Sequence, residues 1–456
     1  MTSFSGRPIA LSAGDFNGDN ITDLATANVG SASVMIGNED PSNPGKGDGT
    51  FAPQVNYPVG SQQEGISTVD FNGDGITDIV TTSKNSDTVS VLLGNGIGGV
   101  GDVTFSPQIT YPVGDFPIGV ATTDFNDDGS ADIVVANSND STISILLNTG
   151  DGAFTPQVIY PAGRGVRKVI TTDYNRDGIT DIIAANNSGN SISLFTGNGS
   201  NGSGDGTFET SVPPPSYPAG DRPVRIANRD LNGDGITDIV VANSTTNSLS
   251  VLLGNGTQSL GEGTFAPIVA YSVGVQPSDV VIEDINQDGM NDIIAANAGS
   301  NSISVLLGNG FGGIGDGSFA PHVTYSVVDR PESVLLGDFN SDGILDVITA
   351  NINSDDISVL IGIGDGSFAS QVNYFAGELS SNAPFAVGDF NQDGISDIIL
   401  SNSSSQSIAV LLGNGSAGVG NGTFATPVFY SVGIEAIAIL TEDFNSDGIL
   451  DIVTAN

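Results

Sequence analysis

Residues 70–78 read Asp-Phe-Asn-Gly-Asp-Gly-Ile-Thr-Asp, and this nine-residue acidic pattern occurs nine times in the 456-residue chain. Successive copies begin 55, 54, 49, 57, 54, 54, 51 and 54 residues apart. A unit repeated at such a period indicates an array in which each unit buries its apolar face against its neighbours. The repeat therefore determines the architecture, although it says much less about what the protein finally binds.

Each repeat contains four short segments with the character of β-strands. In one repeat they are residues 117–125, 133–137, 143–147 and 154–160. Apolar residues in the last two segments alternate with other residues in a period of two, as in strands with one buried face. No helical periodicity lies between the segments, so the sequence predicts an all-β fold. Four-stranded antiparallel sheets repeated about every 50 residues are typical of a β-propeller.

The number of sheets, or blades, follows from counting the repeats. There are eight complete four-strand units and a ninth hairpin at residues 437–456, so we expect about eight blades, and seven to nine fit. Eight blades with a surplus hairpin and nine blades with a half-built last one both remain open. We expect residues 1–456 to form one propeller. The chain stops within a repeat, which predicts that it is a fragment of a longer protein with other domains.

Two aromatic residues recur near the end of each complete unit, and we place both on the fourth strand. They are Phe51, Phe105, Phe154, Phe208, Phe265, Phe319, Phe368 and Phe424, and Tyr57, Tyr111, Tyr160, Tyr217, Tyr271, Tyr325, Tyr374 and Tyr430. We interpret them as packing between successive blades rather than as a platform for an aromatic ligand.

The acidic loop has the composition of a calcium site. Its pattern, D-x-N-x-D-[GN]-x-x-D, places carboxylate or amide oxygens at positions 1, 3, 5 and 9, and the backbone carbonyl at position 7 would add a fifth donor. Ca²⁺ takes six to eight hard oxygen ligands. Three carboxylates within nine residues repel one another unless a cation compensates them. The alternative is a set of Asx turns that hold no ion.

The predicted ligands share these positions in all nine loops. At position 1 they are Asp15, Asp70, Asp124, Asp173, Asp230, Asp284, Asp338, Asp389 and Asp443. At position 3 they are Asn17, Asn72, Asn126, Asn175, Asn232, Asn286, Asn340, Asn391 and Asn445. At position 5 they are Asp19, Asp74, Asp128, Asp177, Asp234, Asp288, Asp342, Asp393 and Asp447. The carbonyls at position 7 belong to Ile21, Ile76, Ser130, Ile179, Ile236, Met290, Ile344, Ile395 and Ile449. At position 9 they are Asp23, Asp78, Asp132, Asp181, Asp238, Asp292, Asp346, Asp397 and Asp451.

Together with two further segments, the loop carries a family resemblance. Residues 302–310 (Ser-Ile-Ser-Val-Leu-Leu-Gly-Asn-Gly) and residues 315–321 (Gly-Asp-Gly-Ser-Phe-Ala-Pro) complete a pattern that resembles the FG-GAP/VCBS repeats of integrin-α-type β-propellers. The resemblance covers essentially the whole chain. It implies calcium held in the loops on one face, usually in secreted or cell-surface adhesion proteins. Integrin propellers have seven blades with calcium in only some, whereas all nine copies here keep their ligands. Such propellers also occur in enzymes and toxins.

The composition excludes several classes of partner. There are 52 acidic and 11 basic residues, which give a net charge of −41, so nucleic acid and anionic membranes are not expected partners. The nine loops supply 27 of these acids, and nine bound Ca²⁺ ions would change the charge from −41 to −23. No apolar run approaches the roughly 18 residues of a membrane span, so no membrane insertion is predicted. Residues 1–10 lack the features of a signal peptide.

A basic cluster interrupts the acidic repetition at the start of the fourth and fifth units. Its members are Arg164, Arg167, Lys168, Arg176, Arg222, Arg225 and Arg229, of which Arg164, Arg167, Lys168, Arg222 and Arg225 form the candidate ligand patch. One interpretation is a site for an acidic ligand such as an anionic glycan or a carboxylate side chain. The other is local charge relief, or pairing with neighbouring acids such as Asp221.

We therefore expect a calcium-stabilised, extracellular or cell-surface binding module with a protein or glycan ligand. Up to nine calcium ions would have a structural role. No catalytic activity is expected, because the chain has one histidine, His322, and no nucleophile–base constellation. Two alternatives remain: a propeller that belongs to a polysaccharide-active enzyme, and a spacer or self-association domain.

Overall fold

The computed structural model describes residues 8–19, 21–39, 47–209, 216–257, 260–379, 385–402, 405–432, 438–443 and 450–455. These residues form strands joined by turns and bends. None of them lies in a helix with the length and apolarity needed to cross a membrane. The chain divides into two compact units. The first consists of Met1–Asp173, Asp177–Ser216 and Leu440–Asn456, and the second of Tyr174–Arg176 and Tyr217–Ile439.

The described residues contain eight four-stranded sheets, and each is formed by one sequence repeat. The first four sheets are β1 Pro8–Gly14, β2 Asp23–Asn28, β3 Ser31–Met35 and β6 Val55–Pro58; β7 Gln63–Val69, β8 Asp78–Ser83, β9 Thr88–Leu92 and β12 Ile109–Pro112; β13 Pro117–Thr123, β14 Asp132–Asn137, β15 Thr142–Leu146 and β16 Val158–Pro161; and β17 Val166–Thr172, β18 Asp181–Asn186, β19 Ser191–Phe195 and β22 Ser216–Pro218.

The next four sheets have the same order of strands. They are β23 Pro223–Arg229, β24 Asp238–Asn243, β25 Ser248–Leu252 and β28 Val269–Ser272; β29 Pro277–Glu283, β30 Asp292–Asn297, β31 Ser302–Leu306 and β34 Val323–Ser326; β35 Pro331–Gly337, β36 Asp346–Asn351, β37 Asp356–Leu360 and β38 Val372–Phe375; and β39 Phe385–Gly388, β40 Asp397–Asn402, β41 Ser407–Leu411 and β44 Val428–Ser431. We name the four strands of every sheet A, B, C and D in chain order. A final hairpin follows, β45 Ala438–Glu442 and β46 Asp451–Ala455.

Six repeats carry an additional two-stranded hairpin between strands C and D. These hairpins are β4 Gly37–Glu39 with β5 Gly47–Phe51, β10 Gly94–Ile97 with β11 Val100–Phe105, β20 Gly197–Ser200 with β21 Ser203–Phe208, β26 Gly254–Thr257 with β27 Leu260–Phe265, β32 Gly308–Phe311 with β33 Ile314–Phe319, and β42 Gly413–Ser416 with β43 Val419–Phe424. The third and seventh repeats have a short turn instead, closed by the single bridges Asn148↔Phe154 and Gly362↔Phe368. These short turns explain why the intervals of 49 and 51 residues are the shortest in the chain.

Strand B lies in the middle of each sheet, and its sequence reflects this position. In β14, every residue from Asp132 to Asn137 is buried. The strand pairs antiparallel with β13 through Thr123↔Asp132 and with β15 through Ile133↔Leu146. A strand that is buried on both faces has a continuous run of apolar residues, and not an alternation of apolar and polar ones. Residues 133–136 accordingly read Ile-Val-Val-Ala. The repeated four-stranded sheets confirm the predicted all-β propeller class.

The recurring aromatic residues pack between successive repeats, as predicted. The Phe105 ring packs edge-to-face against two rings of the preceding repeat. The centroid distance is 5.0 Å to Tyr57 and 5.7 Å to Phe16, which lies in the acidic loop of that repeat. Edge-to-face pairs add about 0.5–1.5 kcal/mol beyond their burial. The prediction that both aromatic residues share strand D was wrong. Phe105 ends the hairpin strand β11, whereas Tyr111 lies on strand D, β12, because a break at residues 106–108 separates the two strands.

Candidate functional site

Each acidic loop joins strand A to strand B, and its own side chains fold it. In the second repeat, Asp70 Oδ1 accepts the Gly73 N–H at 2.8 Å and Asp70 Oδ2 accepts the Gly75 N–H at 2.8 Å. Gly73 and Gly75 have φ angles of 70° and 84°, a region that side chains with a Cβ seldom adopt. Position 1 therefore anchors a tight turn around its carboxylate.

The side chains at positions 3 and 5 lie against each other within this turn. Asn72 Oδ1 accepts the Asp74 N–H at 3.1 Å, while Asn72 Nδ2 donates to Asp74 Oδ2 at 3.0 Å. The other carboxylate oxygen, Asp74 Oδ1, accepts the Ile76 N–H at 2.8 Å. The same amide-to-carboxylate contact occurs in seven loops, in the pairs Asn17–Asp19, Asn72–Asp74, Asn126–Asp128, Asn232–Asp234, Asn286–Asp288, Asn340–Asp342 and Asn391–Asp393.

The carboxylate at position 9 connects the loop to the end of strand C. Asp78 is completely buried, and its Oδ2 accepts the Phe71 N–H at 2.8 Å while its Oδ1 accepts the Gly94 N–H at 2.7 Å. Both bonds recur at seven positions, namely Asp23, Asp78, Asp132, Asp238, Asp292, Asp346 and Asp397. The loop pattern alone did not predict this bracing role. A signal for it was present, since a Gly or Asn stands 16 residues after six of these aspartates and Gly37 stands 14 residues after Asp23.

Burial dominates the electrostatics at position 9. It raises the pKa of Asp23, Asp78 and Asp238 to about 7, although the two backbone N–H donors oppose the shift. The carboxylates at positions 1 and 5 raise these pKa values further because like charges disfavour ionisation. Without a cation, the loop therefore holds its buried carboxylate at a cost in free energy.

The donor chemistry of the loop fits calcium. Positions 1, 3, 5, 7 and 9 supply only oxygen donors, and an oxygen that accepts one hydrogen bond keeps a second lone pair. The carboxylates alone are not arranged as a site: within the described residues, no group of three or more His, Cys, Asp or Glu side chains is placed to hold a metal ion. The amide oxygen at position 3 and the carbonyl at position 7 would have to complete the coordination.

One predicted loop is described only at its two ends. Asp443 and the backbone of Asp451 belong to the described residues, whereas Asn445, Asp447 and Ile449 lie outside them.

The additional hairpins lie over the loops of the preceding repeat. The Gly101 N–H at the start of the returning hairpin strand donates to the Asn17 carbonyl at 2.8 Å. The hairpin in the fourth repeat is held in a similar way, since the Gly204 N–H donates to Asp127 Oδ2 of the third loop at 2.7 Å. A loop is therefore supported both by its own repeat and by the next one.

The predicted basic cluster is divided between the two units. Arg164, Arg167 and Lys168 are exposed and form no ion pair with any residue in the described ranges. Arg222 and Arg225 belong to the second unit, where Arg225 Nε lies 3.4 Å from Asp279 Oδ1. Arg225 is therefore paired with an acidic residue, as one of the two interpretations expected, but its partner is Asp279.

The family comparison follows the same repeats. Seven segments match the FG-GAP-like repeat, at residues 15–81, 70–135, 124–184, 230–295, 284–349, 338–400 and 389–454. Each begins at position 1 of a loop and ends in strand B of the following repeat. No curated protein matches the sequence of the chain.

Several solved structures have a similar fold at low sequence identity. A lectin from Agrocybe aegerita, described as recognising non-reducing terminal N-acetylglucosamine, is 18% identical with a TM-score of 0.41, over 88% of this chain and 97% of the lectin. The V. cholerae biofilm matrix protein Bap1 is 13% identical with a TM-score of 0.44, over 100% of this chain and 85% of Bap1. The Pseudomonas aeruginosa periplasmic gluconolactonase PpgL is 13% identical with a TM-score of 0.41, over 81% of this chain and 97% of PpgL. These similarities concern the fold alone.

Proposed function

Because this chain belongs to the FG-GAP-like repeat family, we propose that it is a calcium-stabilised binding module that works outside the cell. One observation carries the proposal: the same all-oxygen loop recurs between strands A and B of every complete repeat, with the same internal hydrogen bonds in most copies. Bound calcium would be held by positions 1, 3, 5, 7 and 9. It would neutralise the crowded carboxylates and fix the A–B turn.

The size of this stabilisation can be calculated from the calcium affinity and the calcium concentration. Calcium sites of extracellular modules have dissociation constants of about 0.1–1 mM. At about 1–2 mM calcium, each site would then add about 0.5–2 kcal/mol to the free energy of unfolding. Several such sites are significant against a typical net stability of about 5–15 kcal/mol.

A binding role is proposed in preference to catalysis because the sequence carries no recognisable nucleophile–base motif. The proposed ligand is a protein or a glycan. The net charge of −41 argues against anionic partners for most of the surface.

The decisive experiment is thermal unfolding of the full chain in EDTA and across a calcium titration, with magnesium as the control cation. We expect the melting temperature to rise steeply with calcium and much less with magnesium, since Mg²⁺ gives up its water reluctantly. Isothermal titration calorimetry should count several sites per chain. Identical melting curves in EDTA and calcium would reduce the loops to Asx turns and refute the proposal.

Two charge-matched double variants test whether calcium binds in the loops themselves. Asp70→Asn with Asp74→Asn replaces two carboxylates of the second loop by neutral amides and should lower the calcium stoichiometry by one. Asp102→Asn with Asp205→Asn removes the same charge from exposed hairpin positions outside the loops and should leave the stoichiometry unchanged. Equal effects of the two double variants would indicate a diffuse ion atmosphere instead of defined sites.

A further inference from the structure

A cavity of about 490 Å³ lies in the second unit at the seam between the sixth and seventh repeats. One wall is strand D of the sixth repeat, with Thr324, Tyr325 and Ser326, and the other is the segment before strand D of the seventh, with Phe368, Ser370 and Gln371. Ligand pockets usually measure about 300–1,000 Å³. The size therefore suits a small organic ligand.

A buried acceptor beside this cavity has no partner. Gln371 Oε1 is inaccessible to solvent and accepts no hydrogen bond from the described residues. The equivalent glutamine of the third repeat, Gln157, accepts from the Ser144 hydroxyl at 2.6 Å. In the seventh repeat the corresponding serine, Ser358, donates to Asn373 Oδ1 at 2.9 Å instead. This change of partner leaves Gln371 Oε1 without a donor, and a buried carbonyl in that state is unfavourable.

A hydroxyl group in the same wall is also without its usual bond. In four repeats, the tyrosine of strand D accepts the backbone N–H of the next repeat's phenylalanine, at 3.0–3.3 Å, in the pairs Tyr111–Phe154, Tyr160–Phe208, Tyr217–Phe265 and Tyr271–Phe319. The Tyr325 ring packs against the Phe368 ring, with 5.5 Å between the ring centroids. The Tyr325 hydroxyl, however, forms no hydrogen bond with any of the described residues. The Tyr325 hydroxyl and Gln371 Oε1, each of which has a hydrogen-bond partner in at least one other repeat, are thus both without one here.

The lining determines what kind of ligand could use them. Thr324, Ser326 and Ser370 add exposed hydroxyl groups, and Phe368 and Leu360 supply an apolar floor. None of the eight lining residues is charged. Hydroxyl groups around a cavity that contains aromatic side chains complement a sugar, which presents both hydroxyl groups and apolar C–H faces. We propose that this cavity binds a neutral saccharide, with the Tyr325 hydroxyl donating to or accepting from one sugar hydroxyl and Gln371 Oε1 accepting another once its side chain rotates into the cavity.

This inference rests on the proposed role as a binding module and names its ligand class. It is tested by calorimetry on the full chain in calcium with glucose, galactose and N-acetylglucosamine. We expect saturable binding of at least one sugar, weakened about 2- to 10-fold by Gln371→Leu and by Tyr325→Phe, the loss of one hydrogen bond each. Tyr325→Phe should melt like the wild type, because the removed hydroxyl has no protein partner among the described residues, and Gln371→Leu should melt at or above the wild type, because it removes a buried carbonyl that has none.

Matched variants in other seams are the controls. Gln108→Leu removes another buried carbonyl that has no partner within the described ranges, and Tyr271→Phe removes a hydroxyl that accepts the Phe319 N–H. Both should leave sugar binding unchanged, while Tyr271→Phe should lower the melting temperature. Absence of saturable binding of all three sugars would overturn the inference, as would equal losses in all four variants. If the calcium-dependent melting persists in that case, only the saccharide site is refuted and the calcium proposal stands.

Discussion

At the scale of single residues, the aspartate at position 9 combines two roles. The donor pattern makes it a candidate calcium ligand, and the structure makes it a brace between the loop and the end of strand C. A carboxylate can accept about four hydrogen bonds or metal contacts, so the two roles are compatible. They can be separated because bracing does not need a cation.

Asp78→Asn tests the brace. An amide offers only one acceptor atom, so the Phe71 N–H or the Gly94 N–H would face an NH₂ group in a buried position. A buried donor left without a partner costs about 1–3 kcal/mol, and we expect the free energy of unfolding in EDTA to fall by this amount. Urea unfolding of both proteins measures it. The control is Asp74→Asn at the exposed position 5, which should change stability much less in EDTA; equal losses would contradict the bracing role.

The pair formed by Asp279 and Arg225 predicts a pH dependence. Burial raises the pKa of Asp279, while the Val334 N–H and the Arg225 guanidinium oppose the shift. Because the folded-state pKa lies above the unfolded value of about 3.9, the folded state binds the proton more tightly. The contribution of Asp279 to stability is therefore greatest at low pH and decreases as the pH rises through the folded-state pKa.

Melting temperatures of the wild type and Asp279→Asn between about pH 4 and 8 check this sign. We expect the wild type to lose stability relative to the variant as the pH rises. Arg225→Ser should steepen the loss because it removes the opposing positive charge, although Arg225 is partly exposed and screened. A wild type that gains stability over Asp279→Asn with rising pH would show that the ion pair outweighs burial.

At the scale of elements, the C–D hairpin is the feature that joins one repeat's loop to the next repeat. Its contact is made by backbone atoms, which leaves no room for side chains. A Cβ added to Gly101 would lie 2.3 Å from the Phe16 carbonyl oxygen of the preceding loop. The hairpins are therefore rich in glycine for a tertiary reason as well as for their turns.

Gly101→Ala should accordingly displace the hairpin from the first loop. We expect a loss of about 1–3 kcal/mol, the usual range for overpacking, measured by urea unfolding. Gly98→Asn at the hairpin tip is the control, since a Cβ added to Gly98 would have no described atom within 4 Å and Asn tolerates the positive φ. If Gly101→Ala were as stable as this control, the hairpin would not be tightly held on the loop.

At the scale of the whole molecule, the most prominent property is the large negative net charge. The net charge of −41 is concentrated in the repeated loops, and self-repulsion of this kind opposes the compact state. Nine Ca²⁺ ions would reduce the charge from −41 to −23, since each contributes two positive charges. Calcium would then act on the array as a whole as well as on each turn.

Salt should therefore stabilise the calcium-free protein more than the calcium-loaded one. Raising NaCl from about 0.01 to about 0.1 M shortens the Debye length from about 30 to about 10 Å, which screens the repulsion between loops. We expect the melting temperature in EDTA to rise over this range, and to rise less in saturating calcium. Potassium chloride should act like NaCl. A melting temperature that is insensitive to salt in EDTA would show that repulsion between the loops is not a significant term.

The sequence by itself determined the repeat, the all-β class, the position of each loop before strand B, and the all-oxygen donor set. These are local properties: period-two alternation, a buried central strand and Asx turns all arise within about ten residues. It did not predict the brace at Asp78, the separate strands for Phe105 and Tyr111, or the pairing of Arg225 with Asp279. Those depend on contacts between residues that are far apart in the chain.

Only the tertiary structure decided which repeats differ from the common pattern. Ser358 and Ser144 occupy equivalent sequence positions, yet one donates to Asn373 and the other to Gln157. The residue paired with this serine on strand D is Asn373 in the seventh repeat and Ile159 in the third, so the sequence supplies the candidate acceptors and the structure shows which of them lies within reach of the serine. Periodicity therefore predicts what all repeats share, whereas a site confined to one seam depends on how two neighbouring sheets meet.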